Sequence, residues 1–212
     1  MKIAVVGSHF VGKTTLCKNL YSRLTKKGLK VAVLEEVVRK CPFPVNEMAT
    51  VKAQNWILDN QVRGEHELEN KGNYDIIITD RGTIDNFAYW RRAAEKANLP
   101  PEKIIEKQDE VFRHAKSYDL IFFLSIFDSK IKSDNFRSTD DGWRKEMHER
   151  VEKVLDRFSY DHDTPIIRLK GNEKEILDQA LKWVEQLLQQ KKDEFKKEDK
   201  KEEDGGVEIQ EI

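Results

Sequence analysis

Ile3-Ala4-Val5-Val6-Gly7-Ser8-His9-Phe10-Val11-Gly12-Lys13-Thr14-Thr15 is the stretch on which the reading of this chain turns. Four apolar residues ended by a glycine read as a buried strand. Leu16, Leu20 and Leu24 then recur four apart up to Gly28, which makes one stripe of an amphipathic helix. Between them, Gly7 to Thr14 fit the spacing G-x-x-x-x-G-K-[ST], and the flanking strand and helix are the context that spacing needs to hold phosphate. The glycines let backbone N–H groups turn inward around phosphate oxygens, and the helix start adds partial positive charge. This assigns Gly7, Ser8, His9, Phe10, Val11, Gly12, Lys13, Thr14 and Thr15 to a phosphate-binding loop, with Lys13 reaching the outer phosphates and the Thr14 hydroxyl facing a Mg²⁺ ion.

Working outward, Val31–Leu34, Asp75–Asp80, Leu120–Phe127 and Pro165–Leu169 read as four further strands. The third is so uniformly apolar that it predicts a central strand covered on both faces. Helical segments are expected over about 13–27, 45–71, 83–97 and 101–117. A further helix carries the stripe Met147, Val151, Val154, Leu155 and Phe158, and a last one runs from Ile176 to Leu188. Strands alternating with helices predict an α/β fold in three layers, a five-stranded parallel sheet with helices on both faces. Ligands of such sheets bind beyond the carboxyl ends of the strands. Gly7, Glu36, Asp80 and Lys170-Gly171-Asn172 all follow strand ends, so they converge on one rim.

The 212 residues divide into a folded unit over 1–190 and a charged tail over 191–212. From Lys191 to Asp204 every residue but Phe195 is charged, which predicts either an extension of the last helix or, the favoured expectation, a disordered solubilising tail. A formal charge of −1 argues against a protein that binds nucleic acid by neutralising phosphates wholesale. Cys17 and Cys41 make neither a disulfide framework nor a zinc cluster. No apolar run approaches the ~18 residues of a membrane helix, and Met1-Lys2 leads directly into the first strand without a signal peptide. A cytoplasmic protein is expected. Oligomeric state stays open.

Asp80 ends a buried strand beside the phosphate loop, where it is placed to hold the metal with Thr14 or to cap the next helix. Arg81 follows it, and an arginine at a phosphate rim stabilises the charge of a transferring phosphoryl group. Glu36 and its neighbour Glu35 end the second strand; alternation sends them to opposite sides, and either is placed to act as a general base. Arg144 precedes Met147, Val151 and Val154 at helical spacing and so lies at the front of a buried stripe. Gln54 and Gln61 share a helix face and, with Asn86, Tyr89 and Trp90, offer amide edges and an aromatic wall for a small ring, although Trp90 taken alone is better read as packing its helix onto the sheet.

The sequence around Asp80 separates several P-loop classes. Arg81 stands where motion-coupled ATPases carry Glu, and there is neither a D-x-x-G nor an N-K-x-D guanine motif. Asp80-Arg81 instead resembles the strand ending of nucleoside and nucleotide kinases, including deoxynucleoside and thymidylate kinases. Glu36-Val37-Val38-Arg39 resembles the E-x-[AG]-R segment of a small P-loop group that comprises ribosylnicotinamide-kinase-like domains and relatives labelled AAA-type ATPases, with Val38 in place of the small residue. The resemblance runs through about residues 1–190 in element order. It implies the P-loop NTPase fold with a helical lid, ATP or another NTP with Mg²⁺, and a nucleoside-like small-molecule acceptor. It also implies Glu36 rather than Glu35 as the base, and Lys13, Arg81 and Arg144 as catalytic groups. Lid arginines in such kinases close over the phosphates, which here points to Arg137 and Arg144 ahead of Arg150, while the segment at Leu169–Asn172 would border adenine. The expected activity is phosphoryl transfer to a hydroxyl; the alternatives are a regulatory nucleotide-binding ATPase or GTPase without an acceptor, and, less favoured, a nucleic-acid kinase.

Overall fold

Lys2–Val6 forms strand β1, whose residues are all buried, and this continuous burial is what a strand covered on both faces requires. The computed structural model describes residues 1–126 and 141–204, with side chains as far as Glu194. In chain order α1 spans Lys13–Lys26, β2 Val31–Leu34, α2 Val51–Asn70, β3 Ile76–Asp80 and α3 Thr83–Lys96. Then come α4 Pro101–Ala115, β4 Leu120–Leu124, α5 Asp141–Asp161, β5 Ile166–Leu169 and α6 Glu173–Asp204. The strands form one five-stranded sheet in the order β2-β3-β1-β4-β5, with every neighbouring pair parallel.

Alternation along β1 divides the core. Ala4 and Val6 face a cluster built from α3, α4 and α5, including Phe87, Phe112, Met147 and Phe158. Ile3 and Val5 face the opposite cluster, in which Leu16, Leu20 and Leu24 of α1 meet Ile176, Ala180 and Val184 of α6. The three layers expected from the sequence are therefore present. Because all strands run the same way, Val6, Leu34, Asp80, Leu124 and Leu169 end on one rim.

Three boundaries differ from the sequence reading. The helix expected from residue 45 begins at Val51, where the Thr50 side chain accepts a hydrogen bond from the Ala53 N–H at 3.3 Å as its N-cap. The residues before it make a short 3-10 turn, Asn46–Met48, entered with Asn46 in the left-handed region at φ 58°. β4 stops at Leu124 rather than Phe127, since its partner β1 ends at Val6 and the last pair is Val6 with Phe123. Helix α5 already includes Asp141 and Gly142, which the sequence reading placed in a polar loop.

The favoured expectation of disorder from Lys191 is corrected as far as Asp204, because α6 continues to that residue. Lys and Glu are good helix formers, and alternating charges three and four apart support a solvated helix that propensity alone would leave marginal. Lys191 also ties this stretch to the sheet through an Nζ to Asp119 Oδ1 contact of 2.5 Å. Among the described residues no helix is long and apolar enough to cross a membrane.

Candidate active site

The phosphate loop leaves β1 at Gly7, which has φ 147°. A Cβ there would lie 2.8 Å from the Leu124 carbonyl oxygen, so the close passage of β1 along β4 admits only glycine. Gly12 at φ 91° is the N-cap of α1 and offers no side-chain cap, which leaves the first N–H groups of the helix for a ligand. Lys13 folds back into the loop and donates from Nζ to the Ser8 carbonyl at 2.6 Å. Burial first, and Arg81 second, pull its pKa from 10.5 down to about 8.

Beside the lysine, the Thr14 hydroxyl donates to Asp80 Oδ2 at 2.6 Å, while the buried Asp80 Oδ1 has no hydrogen-bond partner. A hydroxyl, a carboxylate and one unused buried carboxylate oxygen are hard oxygen donors that fit Mg²⁺, which takes few protein ligands when phosphates supply the rest. The expected metal pair, Thr14 and Asp80, is thus brought together.

The adjacent centre is Arg81. Its backbone is in the left-handed region at φ 90°, a conformation that costs a non-glycine residue about 1–2 kcal/mol. The turn directs its guanidinium inward: Nε donates to Glu36 Oε1 at 2.9 Å and Nη1 to Asp85 Oδ2 at 3.1 Å. The cation also lies over the Tyr89 ring at 5.2 Å. Burial alone would lower the Arg81 pKa, but Glu36, Tyr89 and Asp85 outweigh it and hold the group above its ordinary value. For Asp85 burial prevails, raising the carboxyl in spite of Arg81 and Lys13. Asp85 was not singled out in the sequence, although its spacing four residues after Arg81 on a helix was a usable signal.

Glu36 is 4% exposed, whereas Glu35 is exposed to solvent. Arg39 Nε also donates to Glu36, to Oε2 at 3.1 Å. Glu36 and Arg81 line a small cavity together with His9, Gln54, Asn86 and Tyr89. Three residues expected in this pocket, Gln54, Asn86 and Tyr89, are there. Two are not among its lining residues. Gln61 is wholly buried behind it, donating to Glu65 and to the Arg81 carbonyl; Trp90 packs on Phe87 and donates from its indole to Asn55 at 2.7 Å.

His9 was placed in the phosphate loop by its motif alone; the structure gives it a second position, in the pocket wall. Its Nδ1 meets the Tyr89 hydroxyl at 3.2 Å, and its ring stacks on Trp143 of α5 with centroids 6.1 Å apart. Arg144, the next residue, is buried and pairs through Nη2 with Asp141 Oδ1 at 3.1 Å. Arg150 is engaged by Glu95 and Glu146 at 2.7 and 2.8 Å, linking α3 to α5. Arg137 lies outside the described residues. On the opposite side of the loop, Phe10, Gly12, Thr15 and Asn19 face Gly171 and Asn172 across an open cleft, which joins the phosphate loop to the segment after β5 as expected for a base-binding groove.

Comparison with known proteins agrees with this fold. A curated thymidylate kinase of Leptospira borgpetersenii serovar Hardjo-bovis is 30% identical over 133 residues, which cover 54% of this chain and 58% of that protein. Among solved structures, a deoxyadenosine kinase from M. mycoides with bound dCTP superposes with a TM-score of 0.63 at 16% identity, over 88% of this chain and all of its own. The NadR protein in complex with NAD and AMP-PNP also gives 0.63, at 19% identity, over 88% of this chain and 49% of its own. A thymidylate kinase from Ehrlichia chaffeensis gives 0.59 at 15% identity, over 87% of this chain and 98% of its own. These likenesses show a shared kinase-type P-loop fold. Residues 2–175 match the model of a family described as AAA domain, and the chain belongs to that family.

Proposed function

We propose that the chain is a Mg-ATP-dependent kinase that transfers the γ-phosphoryl group to a hydroxyl of a nucleoside-like or nucleotide-like small molecule. One observation carries this reading: the buried Glu36 carboxylate, held 2.9 Å from Arg81, lines a cavity shared with His9 of the phosphate loop and also borders a second cleft with Thr14 and Asp80. A hydrolase needs no such organic pocket beside its phosphates. The names of the related proteins, thymidylate kinase and deoxyadenosine kinase, support an acceptor of the same class. Amide groups of Gln54 and Asn86 beside the Tyr89 ring suit a heterocycle.

In this mechanism Lys13 and the loop N–H groups hold the β- and γ-phosphates. Thr14 and Asp80 would hold Mg²⁺, which would supply charge neutralisation for the phosphates. Glu36 accepts from Arg81 on one oxygen and from Arg39 on the other, and the acceptor hydroxyl would donate to this same carboxylate. As the acceptor oxygen attacks the γ-phosphorus, its proton passes to Glu36, and the bond to the β–γ bridging oxygen breaks to release ADP. Arg81 offsets charge on the group in flight and orients the Glu36 carboxylate through their 2.9 Å hydrogen bond. Arg144, and Arg137 with it, would close over the phosphates from the α5 side.

Labelled γ-phosphate of Mg-ATP, followed in the presence of pooled nucleosides and a metabolite extract, tests the reading. Label on an organic acceptor is expected. Glu36→Gln should then slow transfer by roughly 10²–10⁴-fold while ATP affinity changes little. Label found only as free phosphate, unchanged by the extract, would replace the kinase with a regulatory NTPase and remove Glu36 as a base.

A further inference from the structure

Behind the site, on the side away from the ligands, the helices α2, α3 and α4 enclose a buried polar cluster that the mechanism above does not use. Its centre is Glu65 of α2, with no exposed surface. The carboxylate accepts from the Tyr118 hydroxyl at 2.8 Å and from Gln61 Nε2 at 2.8 Å. His114 Nε2 lies 2.8 Å from its other oxygen, and Lys2 Nζ 3.1 Å away. Burial would raise the Glu65 pKa, but His114, Lys2 and Gln61 reverse that and hold it below its ordinary value. The carboxylate is thus held in the interior, and Gln61 links it directly to the active site.

That route is specific. Gln61 Nε2 donates a second hydrogen bond, at 3.1 Å, to the Arg81 carbonyl. Both of its neighbours are acceptors, so the amide must present its NH₂ group to them, and Glu65 thereby fixes which way the amide faces. The recipient is a peptide in an unfavourable conformation, Arg81 at φ 90°. On its other side the Arg81 N–H is tied to the Val5 carbonyl at 3.1 Å. Tyr118 reaches the same turn, accepting from the Thr83 N–H at 3.0 Å while donating to Glu65. An apolar core would close this space more cheaply than a buried charge. What the charge adds is a defined orientation.

We propose that Gln61, oriented by Glu65, is a positioning residue: it holds the Arg81 peptide in its left-handed conformation and so keeps the guanidinium between Glu36, Asp85 and the phosphates. The proposal rests on the reading of Arg81 as a stabiliser of the phosphoryl group in transfer. It differs from a role in stability alone, because its effect passes through Arg81.

The test compares binding of Mg-ADP with binding of Mg-ADP plus aluminium fluoride, which mimics the phosphoryl group in flight. Wild type, Gln61→Met, Arg81→Lys and the double variant are measured side by side. Wild type is expected to bind the fluoride complex more tightly than Mg-ADP alone. Gln61→Met should lose about tenfold or more of that preference, with affinity for Mg-ADP alone within about threefold. The double variant should lose no more than Arg81→Lys does by itself, since the two act as one unit. Should Gln61→Met fail to fold, Gln61→Asn retains a buried amide too short to reach both Glu65 and Arg81, and the same selective loss is expected. A Gln61 variant that keeps the full preference overturns the proposal, as do losses that add in the double variant or a wild type with no preference. The readout needs no acceptor, so a chain that phosphorylates nothing would sink the kinase reading and still leave this comparison decisive.

Discussion

At the scale of single residues, the unusual group is Lys13, an ammonium buried beside a second cation. Its pKa of about 8 against an ordinary 10.5 means that the unfolded chain binds more protons than the folded one between those values. Where the unfolded state binds more protons, stability rises with pH, so Lys13 works against folding below about pH 8 and this penalty is relieved as pH rises towards 10.5. A polyphosphate in the loop supplies the missing counter-charge and restores the ordinary pKa. Binding of Mg-ADP at pH 8 should therefore take up about half a proton, and very little at pH 6.5. Calorimetry in two buffers of different ionisation enthalpy reads this directly, and proton release at pH 8 would contradict it. Asp80 offers a second residue-scale expectation. Asp80→Asn keeps the shape and an acceptor for Thr14 but removes the charge from the unused buried oxygen. It should raise the Mg²⁺ concentration needed for tight ADP binding by tenfold or more, an effect of about 1.4 kcal/mol, while metal-free ADP binds no worse.

At the scale of elements, legibility followed sequence distance. The phosphate loop was readable because its strand, turn and helix are contiguous, and Asp80 was readable because a buried strand must end at the rim. The start of α2 was not, because the apolar pattern over 45–50 fits a helix turn while Thr50, in extended backbone at φ −94° and ψ 165°, supplies the cap that ends the alternative. Thr50→Ala should cost about 1 kcal/mol and lower Tm by about 2–4 °C, with ADP affinity unchanged, as thermal melts with and without ligand would show. The assignment of Gln61 to the pocket failed for a related reason, whereas Trp90 packs in the core as its favoured reading had it. A helix face fixes which residues turn inward, but which of them meets the cavity and which meets a neighbouring helix depends on partners far away in sequence, such as Arg81 for Gln61 and Asn55 for Trp90. A second expectation at this scale belongs to the β1–β4 contact. Gly7→Ala must push a Cβ into the Leu124 carbonyl at 2.8 Å and adopt φ 147°. It should lower Tm through strain costing at least 1–3 kcal/mol and abolish ADP binding, and a variant that melts and binds like wild type would show that the loop has room.

At the scale of the whole molecule, the sheet partitions the labour. One face, with α1 and α6, carries the P-loop and the open cleft that reaches Gly171; the other, with α2, α3 and α5, carries the cavity lined by Glu36 and Arg81. His9 joins the two faces across the rim by meeting Tyr89 and Trp143. Among the described residues every candidate site group lies within the body of the sheet and helices. The last ion pair that ties α6 to the body among the described residues is Lys191 with Asp119, at the base of β4 and remote from the rim where the strands end. The charged residues that follow have too little apolar surface to add to the core. Ending the chain after Glu194 should therefore leave Tm within about 1 °C and Mg-ADP affinity within about twofold, since exposed charged segments away from any packed contact change stability by no more than a few tenths of a kcal/mol. Lys191→Ala in the full chain is the sharper comparison. It removes the final tether and should cost up to about 1 kcal/mol, the range of a partly exposed ion pair, with the loss shrinking at high salt. Truncation that costs more than Lys191→Ala would show that the outer turns of α6 pack against something, and that the division between body and extension falls beyond Glu194.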